Sequence, residues 1–547
     1  MRGLSAEDIA VVIPTRDRWG VLARTLDSLQ RQSISGFTTV VVVDGDDQRP
    51  PDLGDARIEI KAHRGPGAAR NWGVRATSQA LVLFLGDDMV PAANLVEAHL
   101  KAHIRHSSSD AAVLGRAKWH PEVASGAIER WLEWSHTQFN YDSIQDAHAG
   151  FGRFYSCNVS LKRDLFERVG GFDEDFTYYY EDLDLGWRLH EQGMTLFYEP
   201  EALCYHLHRY DMPSLQRRFF GMGMGEHMMA SKHPWFQPYF LDRVAGARQA
   251  KRRMAGWSYA VELAPQSDTQ VAKLIRRKLR ENADIFYYQA LARSFLDGWH
   301  AWADLEELRC YLGDSYDPRQ LMGHQRAVEQ ELSKAGSEVD FYRSSEAYLY
   351  DLTAFSMSGT KSPYLEDLRA LVQPGSAVLD YGCGIGADGL RLAELGYAVS
   401  FADYNNPSTR YLRWRVGQRG LDLPIYDIEA DEIPSGFDAV YAFDVIEHVD
   451  NPFKFLGHLE SLADLVIVNL LEPDEGDTHL HKSLPIKSLL DHAERCGLVR
   501  YRRYHKRSHL VAYRSPAKSH LAASARLASS LTRHLGPAAF NLQSRIF

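Results

Sequence analysis

Two separate stretches of this chain alternate short apolar runs with helix-spaced segments, and this repetition limits the fold more than any other feature. The first stretch contains the apolar runs Ile9–Pro14, Thr38–Asp44 and Leu81–Leu85, and the second begins at Ala377 and ends near Tyr513. Such alternation predicts a mostly parallel sheet with helices packed against it. Because 547 residues are too many for one ordinary core, we expect two separate α/β domains.

The segment between these stretches has a different pattern. From about Met212 to Gly336 strand signals vanish, and apolar residues such as Ile285, Leu291 and Phe295 recur at helical spacing. We therefore expect a first α/β domain over residues 1–235, a helical connecting region over 236–345, a second α/β domain over 346–515 and a tail over 516–547.

Charge and cysteine usage exclude some classes of protein. The net charge of −10 at pH 7 argues against nucleic acid as a partner. The five cysteines are odd in number and lack metal-type spacing, so we expect reduced thiols and a cytoplasmic protein. No apolar run is long enough to span a bilayer. The chain passes from Met1 straight into a strand, so no signal peptide is expected.

Two basic segments depart from this acidic average. For Arg243–Arg280 we favour a solvated face against the acidic domains; the alternative is a surface for an anionic glycan, a lipid-linked acceptor or the inner face of the membrane. The tail places Leu527, Leu531 and Leu535 on one helical face among basic residues and no acid. This pattern suits docking at a membrane interface, and equally folding back onto a domain or packing against a second copy in a homo-oligomer.

The first chemical motif is the acidic turn Gly86-Asp87-Asp88, which follows the apolar run Leu81–Leu85. Ligands of open α/β sheets collect at the carboxyl ends of strands. Carboxylates at such an end suit a hard divalent cation that also binds phosphate oxygens. Taken alone, the motif is equally well explained as an ordinary acidic turn.

Seven further sequence blocks decide between these explanations, because their order and spacing along the chain match those of a known family. With the acidic turn they resemble the family 2 glycosyltransferases of the GT-A fold, over roughly residues 8–232. The resemblance implies a nucleotide-sugar-binding domain that uses a nucleoside diphosphate sugar and Mn²⁺ or Mg²⁺ to modify a glycan acceptor. The blocks are Val11–Arg18, Val41–Asp47, Gly65–Gly73, Cys157–Arg163, Gly170–Glu174, Tyr180–Arg188 and Cys204–His208.

The resemblance implies roles for individual residues in donor binding. Asp44 corresponds to the residue that hydrogen-bonds the donor's base, and Arg70 lies where the family approaches the diphosphate. Asp88 is the main carboxylate of the family's Asp-x-Asp metal motif, and His206 is a further metal ligand. For His208, metal binding and an ordinary imidazole remain equal alternatives. The remaining residues expected at the donor pocket are Pro14, Thr15, Arg16 and Asp87.

The same resemblance names a catalytic base and shows one departure. Asp182 corresponds to the base of an inverting displacement, and the first turn of a helix over Glu181–Gln192 would favour its charged form. For Glu181 and Asp184 we favour plain helix N-terminal charge. The first position of Asp-x-Asp is Gly86 here. Either Asp87 compensates or the metal depends on Asp88 and His206, and loss of metal-dependent transfer is the alternative.

The second chemical motif is a glycine turn after the strand that ends in Asp380. Gly382, Gly384 and Gly386 permit a tight turn and the close approach of backbone to a ligand. A glycine turn alone also suits a dinucleotide site. The next strand ends in Asp403, whose carboxylate can accept both hydroxyls of a ribose, and a dinucleotide enzyme does not need the later block Gly436–Val449.

This second stretch resembles the class I S-adenosylmethionine (SAM)-dependent methyltransferases over roughly residues 346–513, and the resemblance implies a Rossmann-like domain. The glycine turn would pass beneath the amino-acid part of SAM, near Asp380, and Asp403 would hold the ribose. Asp427 sits where such enzymes contact adenine, and Asp444 faces the methionine end or the acceptor. His448 and His479 are candidate bases for acceptor deprotonation, although His448 belongs to a block that is more often structural.

Together the two resemblances predict a bifunctional enzyme that transfers a sugar and methylates a hydroxyl, plausibly on the same glycan. One alternative is a methyltransferase with a non-catalytic, glycan-binding first domain. The other is a non-catalytic scaffold of a polysaccharide assembly complex, which the intact glycine turn and Asp403 disfavour.

Overall fold

The computed structural model describes residues 3–45, 51, 53–54, 56–177, 179–265, 267–472, 474 and 480–516. The chain divides into two compact units, residues 1–302 and 303–547. The predicted tail helix with Leu527, Leu531 and Leu535 lies outside the described residues. No helix among the described residues is long and apolar enough to cross a membrane.

A twisted sheet forms the centre of the first unit. Its strands are, in chain order, β1 Ile9–Thr15, β2 Thr38–Asp44, β3 Arg57–Lys61, β4 Leu81–Leu85, β5 Met89–Pro91, β6 Ala111–Trp119, β7 Asn158–Lys162 and β8 Thr195–His206. They are arranged in the order β3-β2-β1-β4-β7-β6-β8-β5. The half from β3 to β4 is parallel, and β7 and β5 run antiparallel to their neighbours. The carboxyl ends of β1, β2 and β4 therefore meet at one edge.

The helices of the first unit flank this sheet and continue beyond it. Helix α2 begins with Pro66 in its first turn and packs so closely on β1 that a Cβ at Gly73 would lie 2.2 Å from Val12 Cγ1. The helices are α1 Trp19–Gln30, α2 Pro66–Arg75, α3 Leu95–Arg105, α4 Ala127–Trp134, α5 Arg163–Arg168, α6 Glu181–Glu191, α7 Met212–Lys232, α8 Tyr239–Gln249, α9 Gly256–Ala260 and α10 Gln270–Leu312.

Helices α7 and the first part of α10 are in backbone contact. A Cβ at Gly298 would lie 1.9 Å from the Phe220 carbonyl oxygen, and one at Gly223 would lie 2.0 Å from the Phe295 carbonyl oxygen. Beside this crossing, Trp131 stacks on Tyr287 within an apolar cluster that also contains residues of α7 and α8. The boundary between the two units falls within α10, after Trp302.

The second unit has its own sheet, of order β11-β10-β9-β12-β13-β15-β14. The parallel strands of this sheet are β9 Ala377–Tyr381, β10 Ala398–Asp403, β11 Ile425–Asp427, β12 Phe437–Ala442 and β13 Ala463–Leu471. At the far edge, β15 Ser508–Arg514 runs antiparallel to both of its neighbours, β13 and β14 Leu498–Tyr504. Its helices are α11 Pro318–Met322, α12 His324–Leu332, α13 Glu338–Ser344, α14 Ala347–Met357, α15 Ser362–Leu371, α16 Ala387–Glu394, α17 Pro407–Gln418, α18 Pro452–Leu462 and α19 Ile486–Cys496. The predicted α/β class with two separate sheets is confirmed.

Candidate active sites

Strand pairing brings the acidic turn of the first unit together with a distant histidine. Strand β5, which follows Asp88, pairs antiparallel with the end of β8, so that Met89 lies opposite His206. The backbone N–H of Leu207 donates to the Asp88 carbonyl over 2.8 Å. On the other side of the turn, the Thr15 hydroxyl at the end of β1 donates to Asp87 over 2.7 Å.

Asp88, His206 and His208 form a set of donors suited to a metal ion. Asp88 Oδ2 lies 3.3 Å from His206 Nε2 and 3.5 Å from His208 Nδ1. One donor atom from each side chain lies within 4.8 Å of the other two. One carboxylate with two imidazoles suits a divalent transition metal such as Mn²⁺. The residues present therefore fit the expected ion, and the geometry favours a ligand role for His208, which the sequence left open.

Arg18 forms ion pairs with both acidic side chains of this turn. Its Nη1 lies 2.7 Å from Asp88 Oδ2, its Nε lies 3.1 Å from Asp87 Oδ2, and its Nη2 contacts Asp87 Oδ1. Burial and the neighbouring Asp88 raise the pKa of Asp87 to about 6, against the opposing effect of Arg18. Burial also acts to raise the pKa of Asp88, but His206, His208 and Arg18 outweigh it and hold that pKa well below its ordinary value.

Gly86, which stands where the family's metal motif has its first aspartate, is closely surrounded. A Cβ at Gly86 would lie 2.9 Å from Met89 Cγ and 3.1 Å from Asp88 Oδ1. An aspartate there would crowd the carboxylate that faces the histidines. A larger residue at position 86 would therefore require the side chains of Met89 and Asp88 to shift.

Asp44 lies at the end of β2, next to Pro14 and Thr15 at the end of β1. Its carboxylate accepts hydrogen bonds from the backbone N–H groups of Arg64 (2.8 Å) and Gly65 (3.1 Å), and lies 2.7 Å from His63 Nδ1. The other ring nitrogen of His63 contacts the Arg16 guanidinium. The predicted donor-base residues are therefore adjacent, and His63 joins them.

Asp182 lies in the first turn of α6, as predicted. The Ser156 backbone N–H donates to its Oδ2 over 3.0 Å, whereas its Oδ1 is buried and has no hydrogen-bond partner among the described residues. The next residue, Cys157, accepts at its carbonyl from the Gly86 N–H of the acidic turn over 3.1 Å. The base candidate and the acidic turn therefore contact neighbouring residues of one chain segment, 156–157.

Arg70 makes an ion pair beside this candidate base. Its Nη1 lies 3.2 Å from Glu181 Oε1, and both side chains are buried. Burial and Asp182 raise the pKa of Glu181 to about 7, while Arg70 opposes that rise. The Nε of Arg70 is buried without a partner among the described residues, so the guanidinium retains a donor for an anionic ligand.

In the second unit, a cavity of about 1250 Å³ opens at the carboxyl end of the sheet. Its wall includes Gly382, Gly384, Asp403, Asp444 and His448. The three glycines of the turn have φ values of 72°, 54° and 67°, a left-handed region that favours glycine. A Cβ at Gly382 would also lie 2.5 Å from Val445 Cγ2. The glycine turn is therefore both strained for other residues and closely packed.

Two carboxylates flank this turn. The Asp403 carboxylate accepts from the backbone N–H groups of Gly384 and Tyr404, both over 2.7 Å. Burial raises the pKa of Asp403 to about 6 despite these two hydrogen bonds. Burial and Asp388 raise the pKa of Asp380 to about 7, and Lys361 opposes this shift.

Asp444 lies at the end of β12 with a left-handed backbone (φ 56°). It exchanges two hydrogen bonds with buried Asn469, from its own N–H to Asn469 Oδ1 (2.7 Å) and from Asn469 Nδ2 to its Oδ1 (2.6 Å). Its Oδ2 is buried without a partner among the described residues. Asp427 instead accepts from the Glu429 N–H over 3.1 Å, and its neighbour Ile428 lines the cavity.

The two candidate bases of the second unit differ in what the structure shows. His448 lines the cavity, and its Nδ1 lies 3.1 Å from the Leu480 carbonyl oxygen. Burial and the nearby His481 lower the pKa of His448 to about 4, so it is neutral at pH 7. His479 lies outside the described residues.

The folds and sites define a fusion of two transferase domains, and family models match each part. Residues 10–170 match Glycosyl transferase family 2, and residues 358–521 match a Methyltransferase domain. The chain therefore joins a family 2 glycosyltransferase domain to a methyltransferase domain. The predicted fold classes, a GT-A domain and a Rossmann-like methyltransferase domain, are thereby confirmed.

Two curated glycosyltransferases are similar to part of this chain. Validoxylamine A glucosyltransferase of Streptomyces hygroscopicus subsp. jinggangensis is 32% identical over an alignment of 230 residues, and the match covers 36% of this chain and 54% of that protein. Pre-mycofactocin glycosyltransferase of Mycobacterium tuberculosis is 30% identical over 254 residues, 42% of this chain and 49% of that protein. The chain thus spans about half the length of these relatives.

Among solved structures, the mannosyltransferase PcManGT from Pyrobaculum calidifontis, in complex with GDP-Man and Mn²⁺, is similar at a TM-score of 0.36 and 17% identity. The match covers 53% of this chain and 87% of that one.

Proposed function

We propose that the protein is a bifunctional enzyme that transfers a hexose, with inversion, from a nucleoside diphosphate sugar to a glycan, free or linked to lipid or protein, and also methylates a hydroxyl of that glycan. The observation that carries the first activity is the buried Oδ1 of Asp182, which has no hydrogen-bond partner among the described residues, on a carboxylate that contacts the same segment, residues 156–157, as the acidic turn. The names of the two relatives, both glycosyltransferases, support the same activity.

Each part of the first pocket has a task in this proposal. Asp182 accepts the proton of the acceptor hydroxyl, and its position at the start of α6 favours the charged form that a base needs. Asp44 and the segment Pro14–Arg16 bind the nucleoside, and the Nε of Arg70, which has no partner within the described part of the chain, binds the diphosphate. A Mn²⁺ or Mg²⁺ ion held by Asp88, His206 and His208 would offset the charge of the leaving diphosphate.

In the second domain the glycine turn and Asp403 bind SAM, which supplies an electrophilic methyl group. Asp444 is held in place by Asn469, and its Oδ2, which has no partner among the described residues, can orient the cofactor's amino group or the acceptor. Covalent linkage of the two domains raises the effective concentration of each product at the other site, which supports a shared glycan.

One observation favours a second candidate function. The Arg18 guanidinium neutralises the carboxylates of the metal motif, whose first position is Gly86. A domain that recognises a glycan without transferring sugar would have the same features. Release of nucleoside diphosphate that needs Mn²⁺ and is lost in Asp88→Ala would exclude this candidate.

The test uses the full chain with a panel of nucleotide sugars, SAM and a cell extract, followed by mass measurement of the acceptors. We expect both a hexose and a methyl increment. Asp182→Asn should remove the hexose increment, and Gly384→Arg should remove the methyl increment from an acceptor supplied already glycosylated. Gly246→Ala, at an open position of α8, serves as the matched control. Retention of the hexose increment in Asp182→Asn would refute the assignment of the base.

A further inference from the structure

A second cluster of metal-ligating side chains lies in the methyltransferase cavity. Glu447, His448 and His481 all line it, and one donor atom from each lies within 4.8 Å of the others. Glu447 is only 1% exposed. A buried carboxylate beside two imidazoles is a set of donors that divalent transition metals accept.

The backbone holds the two ligand-bearing segments together. Glu447 and His448 form a short 3-10 turn after β12, and His481 lies far along the chain, beyond β13. The Lys482 N–H donates to the Glu447 carbonyl over 2.7 Å, and Lys482 Nζ donates to the His448 carbonyl over 3.2 Å. These two contacts hold the segment that carries His481 beside the turn that carries Glu447 and His448.

The hydrogen bond of His448 prepares its ring for a metal. Nδ1 lies 3.1 Å from the Leu480 carbonyl oxygen, which can only accept, so Nδ1 carries the proton and Nε2 presents a lone pair. Tyr342 OH lies 3.0 Å from the same nitrogen. Histidine ligands in proteins are held in this way, through the ring nitrogen that does not bind the metal.

We propose that Glu447, His448 and His481 bind a divalent transition-metal ion in the methyltransferase cavity, separate from the ion expected at Asp88. One carboxylate and two imidazoles are donors that Zn²⁺, Mn²⁺ and Fe²⁺ accept. The ligand turn also adjoins the cofactor site, because Val445 packs directly on Gly382 of the glycine turn. His448 is then a ligand and not a general base.

The role of the ion rests on the proposed methylation. It binds the acceptor hydroxyl oxygen and makes that hydroxyl more acidic, so its proton passes to solvent. The oxygen then attacks the methyl carbon of SAM: the O–CH₃ bond forms, the S–CH₃ bond breaks with its electrons remaining on sulfur, and S-adenosylhomocysteine leaves. This supplies the acceptor activation for which the sequence identified no firm base.

A third cluster provides a matched control. One donor atom from each of Glu460, His492 and Cys496 likewise lies within 4.8 Å of the other two. These three side chains are not among the residues that line the cavity, and His492 Nε2 lies 2.6 Å from Glu460 Oε1, to which Tyr513 OH also donates over 2.9 Å. We therefore expect no ion there.

The experiment uses the full chain with Asp88→Ala, which removes the ion expected in the glycosyltransferase domain. Chelator-stripped protein is titrated with Mn²⁺, followed by electron paramagnetic resonance, and with Zn²⁺, followed by calorimetry. We expect about one ion per chain. Adding Glu447→Gln and His481→Ala should weaken binding roughly 100-fold, whereas adding His492→Ala should leave it unchanged. Calorimetry with S-adenosylhomocysteine confirms that each variant keeps a folded cofactor site.

The outcomes separate this proposal from the proposed function. Absence of binding of both ions, or binding that Glu447→Gln with His481→Ala does not weaken, overturns the metal site. Methyl transfer that continues at full rate in excess chelator overturns the role of the ion and leaves the methyltransferase activity standing. Binding with the expected variant pattern supports the site even when no acceptor is methylated, a result that would count against the proposed function alone.

Discussion

Cofactor affinity of the methyltransferase domain should depend on the protonation of Asp403. Two backbone N–H groups fix this carboxylate, yet burial raises its pKa to about 6. Only the charged form can accept both ribose hydroxyls, so protons compete with SAM. The affinity for SAM reaches its maximum well above pH 6 and decreases as the pH falls through 6. The factor 1 + 10^(pKa − pH) gives about 11-fold weaker binding at pH 5 and about twofold at pH 6, relative to pH 8.

Calorimetric titration with S-adenosylhomocysteine at pH 5, 6, 7 and 8 measures this effect. Asp403→Asn should bind more weakly at pH 8 and should lose the roughly 11-fold component. Asp380, whose pKa is raised to about 7, contributes its own pH dependence, which Asp380→Asn isolates. The reasoning is refuted if the wild-type affinity is constant from pH 5 to 8, or if Asp403→Asn keeps the wild-type slope.

Three further substitutions test charge and packing. Arg18→Gln should increase the Mn²⁺ affinity of the first domain about tenfold, because the guanidinium no longer occupies the metal-motif carboxylates; Mn²⁺ titration without nucleotide measures this. Gly298→Ala should destabilise the first unit by about 2 kcal/mol in urea unfolding, because its Cβ would meet a backbone carbonyl 1.9 Å away. Asp304→Asn should destabilise the second unit by up to about 3–5 kcal/mol, again by urea unfolding, because it removes a buried carboxylate that pairs with both Arg415 (2.6 Å) and Arg391 (2.9 Å).

Each of these predictions has a contrary result. Weaker Mn²⁺ binding in Arg18→Gln would show that the arginine supports the metal site. Gly246→Ala changes the same residue type at an open helix position and should stabilise the protein, by up to about 1 kcal/mol. Equal effects at positions 246 and 298 would contradict the close helix contact. A cost near zero for Asp304→Asn would mean that Arg415 finds other compensation.

Local sequence patterns were sufficient to predict the strands and the functional residues at their ends. The predicted strands Thr38–Asp44 and Leu81–Leu85 match the observed bounds, because continuous apolar runs bounded by turn residues have few alternatives. The glycine turn was equally readable, since left-handed backbone is demanded at all three positions. Such features depend only on neighbours in sequence.

Features that depend on contacts between distant segments could not be predicted from the sequence. The ion pairs of Arg18 with Asp87 and Asp88 join two loops that only the parallel sheet brings together. The approach of His481 to Glu447 likewise needs the pairing of residues 447 and 482. Helical spacing predicted a helical segment after Met212, but not that the first part of α10 packs on α7.

The backbone contact between α7 and α10 determines where this chain can be divided. If the chain were cut after residue 235, the surface of α7 around Gly223 would lose its contact with α10. The apolar cluster would lose Tyr287, Tyr288 and Phe295. A transplantable glycosyltransferase module must therefore extend at least to Trp302. Any recombination that exchanged the methyltransferase for another domain would have to join the two genes beyond that point.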